Sequence, residues 1–293
     1  MLAVARACRA HEIDLVNAWS PRATLVAGLA RKLRLARARL ITTVNGVRQG
    51  MESRSARALI SRLPDEVIFV SRSERDRLAE DWGAAVGQVI YTGIDLPRAG
   101  ALEPVDLEAK HGVPRDARAI GVVGALSPEK AVGDAIAALV RLPPDVVLCI
   151  VGDGVEENAL RAEARRRRVE QRVVFAGAVR EIDRYLVSLL ALVLPSRAED
   201  LPVVLRQAGA LSVPVIAADV GGVREVVVPR ETGLLYPSGD VDGLVRAIRS
   251  VLDDPSRAAA MGVAARQRIA KLFGVERWAD ETEALFARVA GVD

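Results

Sequence analysis

The chain has 293 residues, 51% of them hydrophobic and 27% charged, which excludes a disordered polypeptide and allows two modest globular domains or one large one. A formal net charge of +3 and an aromatic content of 3% give no support to a nucleic-acid binder, which needs a basic surface interleaved with stacking rings. Two histidines, His11 and His111, stand apart from other ligand-type residues, which argues against a zinc site and against nucleophiles that depend on a histidine base.

The opening MLAVARACRAHEIDL reads as a helix with no strand before it, and Arg6 and Arg9 interrupt any apolar signal-peptide core. No apolar run is long enough to span a bilayer, so a cytoplasmic location is expected. DLVNAW, RLITTVNG, EVIFVS and QVIYTG follow as strand candidates separated by helical stretches. The cluster Arg31, Lys32, Arg34, Arg37 and Arg39 reads first as a solvated face, with peripheral contact to anionic lipid at the inner face of a membrane as the weaker alternative.

A turn-rich connection, TGIDLPRAGALEPVD, places a domain boundary near residues 95–105. Beyond it the apolar runs AIGVVG, VVLCIVG, VVFAG, ALVLPS, PVIAAD and the shorter GLLYP alternate with helical patterns. Continuous β-rich runs of this kind are expected for parallel strands covered on both faces, and the alternation predicts a doubly wound sheet. In IDRYLVSLL, Ile182, Tyr185, Leu186, Leu189 and Leu190 fall on one helical stripe. Cys149, inside VVLCIVG, reads as a small buried hydrophobe, and two cysteines suit a reducing compartment. Another helix is expected to start near Asp240, and the tail from Pro255 reads as two helices.

Ligands of open parallel sheets sit beyond the carboxyl ends of the strands. Here those ends carry ALSPEK with Lys130, DGVEE, AVRE, RAEDLP with Glu199, and VGGVRE. Glycines, helix-start amides and one lysine could cradle a diphosphate, although Lys130 taken alone reads more simply as decoration of a first helical turn. Gly152-Asp153-Gly154 lacks the third glycine of a dinucleotide fingerprint, since Glu157 stands there, and reads as a strand-to-helix turn. The basic run from Arg161 to Val169 reads as a solvated helix face.

Taken in order, VIYTGIDL, GALSPEKAVGDAIAAL, LCIVGDGVEENAL, LPSRAEDLPVVLRQAGALSVPVIAADVGGVREVV and TGLLYPSGD resemble the family 4 retaining glycosyltransferases over nearly the whole chain. The resemblance is strongest from Ala119 to Gly239. It implies the α/β GT-B fold, two Rossmann-like doubly wound parallel-sheet domains, the N-terminal one incomplete here. The implied domains are an acceptor-side unit over 1–98, a nucleotide-sugar-binding unit over 106–254, and helices over 255–293, the last crossing back to the first domain. No cofactor or metal is implied. The donor would be a nucleotide sugar, a UDP- or GDP-sugar first, and the acceptor a glycan or lipid-linked molecule, as in polysaccharide or lipopolysaccharide biosynthesis.

Residue by residue, the resemblance assigns Lys130 to the donor diphosphate and Glu199 to the donor sugar, the two carrying catalysis. Gly124 and the Gly221-Gly222 pair would line the phosphates. Loop residues Leu201, Pro202 and Val203 would supply amides near sugar and phosphate, Val179 and Arg180 would lie near the base, and Gln207 near the ribose. The chain also departs from the family pattern. Ala125 stands where a second diphosphate cation, an arginine, is expected, and Gln207 stands where a second glutamate is expected. Asp200, Leu201 and Pro202 replace the usual glycine and aromatic, and Pro202 has no N–H to offer. Asn17 and Asn45 stand where histidine is frequent, Thr92 where asparagine is usual, and the glycine-rich N-terminal loop is absent.

Three functions stay open at this point: a retaining transferase, a non-catalytic relative acting as a binding or partner subunit, and a nucleotide-sugar epimerase, which would need further acid–base groups. The departures predict slow turnover by this polypeptide alone. A start codon placed too late or a genuine truncation would account for the N-terminus, and truncation predicts an exposed sheet edge and self-association.

Overall fold

The computed structural model describes residues 1–45, 62–82, 87–97 and 102–291. Gly46 of the TTVNG run, the helical stretch expected after it, and residues 98–101 of the expected linker lie outside these.

The chain divides into two compact units, Met1–Gly93 with Val275–Asp293, and Ile94–Gly274. In the first unit, β1 (Leu15–Ala18), β2 (Arg39–Val44), β3 (Glu66–Phe69) and β4 (Gln88–Val89) form a parallel sheet in chain order. Helix α1 (Leu2–Ala10) precedes β1, and α2 (Pro21–Lys32) follows it, started by Ser20, whose hydroxyl accepts from the Ala23 amide at 3.2 Å, with Pro21 in the first turn. Helix α3 (Arg72–Trp82) follows β3. The C-terminal helix of the chain (Val275–Ala290) belongs to this unit: Leu285, with Trp278, Phe286 and Val289, packs on Ile41, Ile68 and Ile90.

The basic cluster is partly tied down inside this unit. Arg31 pairs with Asp65 and donates to the Leu63 carbonyl at 2.6 Å, and Arg39 reaches Asp65 at 3.4 Å.

In the second unit, β5 (Arg118–Val123), β6 (Val146–Val151), β7 (Val173–Gly177), β8 (Ala191–Leu194), β9 (Val215–Ala218) and β10 (Leu234–Tyr236) are parallel, in the order β10-β9-β8-β5-β6-β7. The sheet starts at its centre, runs outward through β6 and β7, then returns to the other side of β5 with β8. The order reverses between β5 and β8, the switch point, and open parallel sheets place their ligands beyond the carboxyl ends of the strands there. Ile120, Leu148, Ile150, Val193 and Ile216 are buried in one continuous core, which is why these strands read as unbroken apolar runs. Cys149 is buried in β6, and burial pushes its thiol up to about 12.

The helices of this unit are α4 (Leu107–His111), α5 (Val132–Leu139), α6 (Glu157–Arg166), α7 (Ile182–Leu186), α8 (Val203–Ala210), α9 (Val223–Val226), α10 (Val241–Asp253) and α11 (Pro255–Phe273). Asp240 and Asp254 cap the last two, accepting from the Gly243 and Arg257 amides at 2.8 and 2.9 Å. On α6 the basic run is solvated as expected, with Arg161 paired to Glu157, and Arg166 and Arg167 to Glu163. Arg161 also lies over the Phe175 ring at 4.2 Å.

One helical stripe is shorter than its periodicity suggests. Helix α7 ends at Leu186, Leu189 is buried in the turn that follows, and Leu190 is exposed while its amide joins the sheet, donating to the Ala119 carbonyl at 2.8 Å. No helix among the described residues is long and apolar enough to cross a membrane.

Candidate functional site

The loops after β5 and β8 face each other at the switch point. After Val123, Gly124 takes a φ of +151°, a backbone that suits glycine, and a Pro128–Lys130 turn of 3-10 helix precedes α5. Lys130 is therefore not on the first turn of α5. Its Nζ crosses to the β8 loop and donates to Glu199 Oε1 at 2.7 Å. The Glu199 side chain is only 8% exposed, that of Lys130 25%. Ser196, fully buried, donates its hydroxyl to the same oxygen at 2.6 Å. Both hydrogen bonds fall on Oε1, which leaves Oε2 to accept from something else.

The loop after β9 closes the same group from the other side. The Gly222 amide donates to the Glu199 carbonyl at 3.1 Å. A Cβ on Gly221, whose φ is +47°, would overlap the Glu199 carbonyl oxygen, and one on Gly222 would overlap that of Asp200. These two glycines are thus required by the packing of the Glu199 loop itself. Gly152 plays the equivalent part after β6, where a Cβ would overlap the Gly124 carbonyl oxygen.

Pro202 caps α8 with its carbonyl, and the exposed Val203 is the first helical residue. Any amides offered at that helix start come from Val203 onward, since Pro202 has none. Leu201 and Pro202 are buried, Gln207 and Val179 half-buried, and Arg180 and Ala125 exposed. No hydrogen bond or ion pair among the described residues joins Val179, Arg180 or Gln207 to the Lys130–Glu199 group.

Three supporting contacts had no distinct signal in the sequence. The Arg197 guanidinium holds Asp134 of α5 at 2.7 and 3.0 Å, the Arg197 amide donates to the Glu129 carbonyl at 2.7 Å, and Ser238 Oγ donates to the Ser196 carbonyl at 3.2 Å. Their only trace is position, Asp134 four residues after Lys130 and Arg197 two before Glu199. Among the described residues there is no group of three or more His, Cys, Asp or Glu fit to hold a metal ion. A cavity of about 520 Å³ lies at the opposite end of β5, lined by apolar residues such as Val105, Val113 and Leu189 together with Asp106, Glu108, Arg115 and Arg118, of which Arg115 and Glu108 pair with each other.

Two units built on parallel sheets, the second wound in the dinucleotide-fold order, make up the GT-B fold. Anabaena HepE, solved in complex with UDP, superposes over 98% of this chain and 82% of its own, with a TM-score of 0.89 at 24% identity. The match to the family described as "Glycosyl transferases group 1" covers residues 106–268, and the match to "Glycosyltransferase Family 4" covers residues 1–98. The chain belongs to this family of retaining glycosyltransferases. It is 35% identical over 249 residues to a glycogen synthase of Mycobacterium tuberculosis, covering 81% of this chain and 58% of that protein. It is 32% identical over 276 residues to the GDP-mannose-dependent alpha-(1-6)-phosphatidylinositol monomannoside mannosyltransferase of Mycolicibacterium smegmatis, covering 87% and 72%. The chain thus spans a little over half the length of the first of these relatives.

Proposed function

We propose that this chain binds a nucleotide-sugar donor at the carboxyl ends of β5, β8 and β9 and transfers the sugar, with retention of anomeric configuration, to a glycan or lipid-linked acceptor. The observation that carries the reading is the Lys130–Glu199 pair, a cation and a carboxylate brought to 2.7 Å at the switch point. Enclosing the carboxylate of such a pair is a costly way to stabilise a fold, and its place is where open α/β sheets hold ligands.

In this reading Lys130 neutralises the leaving diphosphate as a point charge, and the amides at the start of α8 add further stabilisation to the charge that develops there. Glu199 offers Oε2 to the donor sugar while Oε1 is held by Ser196 and Lys130. The carboxylate thereby orients the sugar and sits close to the positive charge of an oxocarbenium-like transition state, without acting as a general base. Gly124, Gly221 and Gly222 bring backbone close to the phosphates, and Val179, Arg180 and Gln207 border base and ribose. UDP- and GDP-linked sugars are the first donors to test. HepE was solved with UDP, and the mannosyltransferase relative is named for GDP-mannose.

Ala125 and Gln207 favour a second reading, a chain that binds the donor but turns it over slowly or not at all. Calorimetry with UDP, GDP, ADP and their common sugars tests the binding site. Donor-dependent release of UDP or GDP, measured before and after Glu199→Ala, tests the chemistry. Absence of binding by every nucleotide sinks the proposal, and binding without release selects the second reading.

A further inference from the structure

The Lys130–Glu199 contact joins two loops that meet only because β5 and β8 are neighbours. Around it lies a second connection between the same loops. The Arg197 guanidinium grips Asp134 through both nitrogens, at 2.7 and 3.0 Å, and returns to the Pro195 carbonyl of its own loop at 3.3 Å. The Arg197 amide donates to the Glu129 carbonyl, next to Lys130, at 2.7 Å. Asp134 lies in the first turn of α5, so the fork fixes the helix that follows the lysine turn to the loop that precedes Glu199.

We infer that Arg197 and Asp134 are positioning residues that set the distance between Lys130 and Glu199. The inference rests on the site reading above, and deepens it by naming what holds that site in register. A fork-to-carboxylate contact specifies orientation as well as distance, which a lysine in the same place could only half reproduce. The Asp134 hydrogen bonds also raise the already high pKa of Arg197, as a persistent pair should. The Arg197 side chain is 44% exposed and that of Asp134 17%. A pair so open to water adds little to global stability. Its effect should therefore show locally, at Lys130, and hardly at all in the unfolding transition.

The chain has four lysines, Lys32, Lys110, Lys130 and Lys271, and this makes the test direct. An ammonium engaged with a carboxylate must leave it before it can be acylated. The full-length chain is treated with an acetylating reagent, and the rate at each lysine is followed by mass spectrometry. In Arg197→Ala and in Asp134→Asn, acetylation of Lys130 is expected to rise about threefold or more. The other three lysines keep their rates, and Arg197→Lys falls between wild type and Arg197→Ala.

An unchanged rate at Lys130 in either variant overturns the inference. So does a rise shared by all four lysines, which marks general loosening. Glu199→Gln is the reference for a released Lys130, and a Lys130 that does not respond to it overturns the inference as well. Titration of the wild-type chain with UDP and GDP is read separately. Failure to bind either nucleotide counts against the proposed function, while the acetylation pattern still decides whether Arg197 and Asp134 position the pair.

Discussion

Lys130 Nζ and Glu199 Oε1 are 69 residues apart in sequence and 2.7 Å apart in space, on loops from adjacent central strands. The carboxylate is almost fully enclosed and, among the described residues, takes one other side-chain donor, Ser196. Removing the lysine leaves a buried charge with half its partners, and Lys130→Ala is expected to lower stability by about 1–3 kcal/mol. Urea denaturation checks this, and an unmoved midpoint would show that water replaces the ammonium without loss. If Lys130 also serves the diphosphate, the same variant loses UDP and GDP affinity by about tenfold or more while uridine and guanosine binding stays as it was.

The glycines give a sharper contrast. Gly222→Ala would drive a methyl into the Asp200 carbonyl, and its neighbour Gly221 has the same problem with Glu199 in a left-handed backbone. Gly222→Ala is expected to cost about 2–4 kcal/mol and to disorder the Glu199 loop. Gly133, on α5, has no atom nearer than Leu160 Cδ2 at 3.9 Å for an added Cβ. Gly133→Ala is therefore expected to stabilise by about 0.5–1 kcal/mol. Thermal melting of the two variants should move in opposite directions, and two equal shifts would contradict the packing described here.

The ten strands among the described residues could be located from their short apolar runs. The plainest are β5, β6, β8 and β9, which are buried along nearly their whole length and so leave no polar alternation to obscure them. Lys130 and Glu199 were legible through the order of motifs around them. Strand order was not, because periodicity along a chain carries no information about which strand lies beside which. The Arg197–Asp134 fork spans 63 residues and exists only once β8 returns to the side of β5. The shortening of α7 was hidden for a related reason. Leu190 keeps the helical spacing of its stripe, but its amide is taken by β5 before the helix can continue.

His111 contributes a pH dependence whose sign is set by its surroundings. Its Nε2 lies 2.8 Å from the Tyr185 hydroxyl, and burial first, then the Lys110 ammonium, hold its pKa below the ordinary 6.5. The unfolded chain therefore binds this proton at a higher pH than the folded one. The stability contributed is complete above the unfolded value and is lost as pH falls from there through the folded value. The other histidine, His11, is exposed. Replacing His111→Gln should flatten the fall of stability as pH drops from neutral through the ordinary 6.5 and below it. Urea midpoints across that range decide it, and a slope that survives the substitution assigns the dependence to other groups.

Gln207, half-buried on α8, stands where the family resemblance leads one to expect a second glutamate. A ribose hydroxyl donates to an amide oxygen as one neutral dipole to another, whereas a carboxylate accepts it with the help of full charge and can take two hydroxyls at once. If the ribose lies over α8, Gln207→Glu should tighten UDP or GDP by about five- to thirtyfold, the equivalent of roughly 1–2 kcal/mol. The gain should vanish for the 2′,3′-dideoxy nucleotides, which have no hydroxyl to donate. A variant that binds both forms equally tighter would point to a general change in the helix. One that binds the ribonucleotide no better would place the ribose away from this residue.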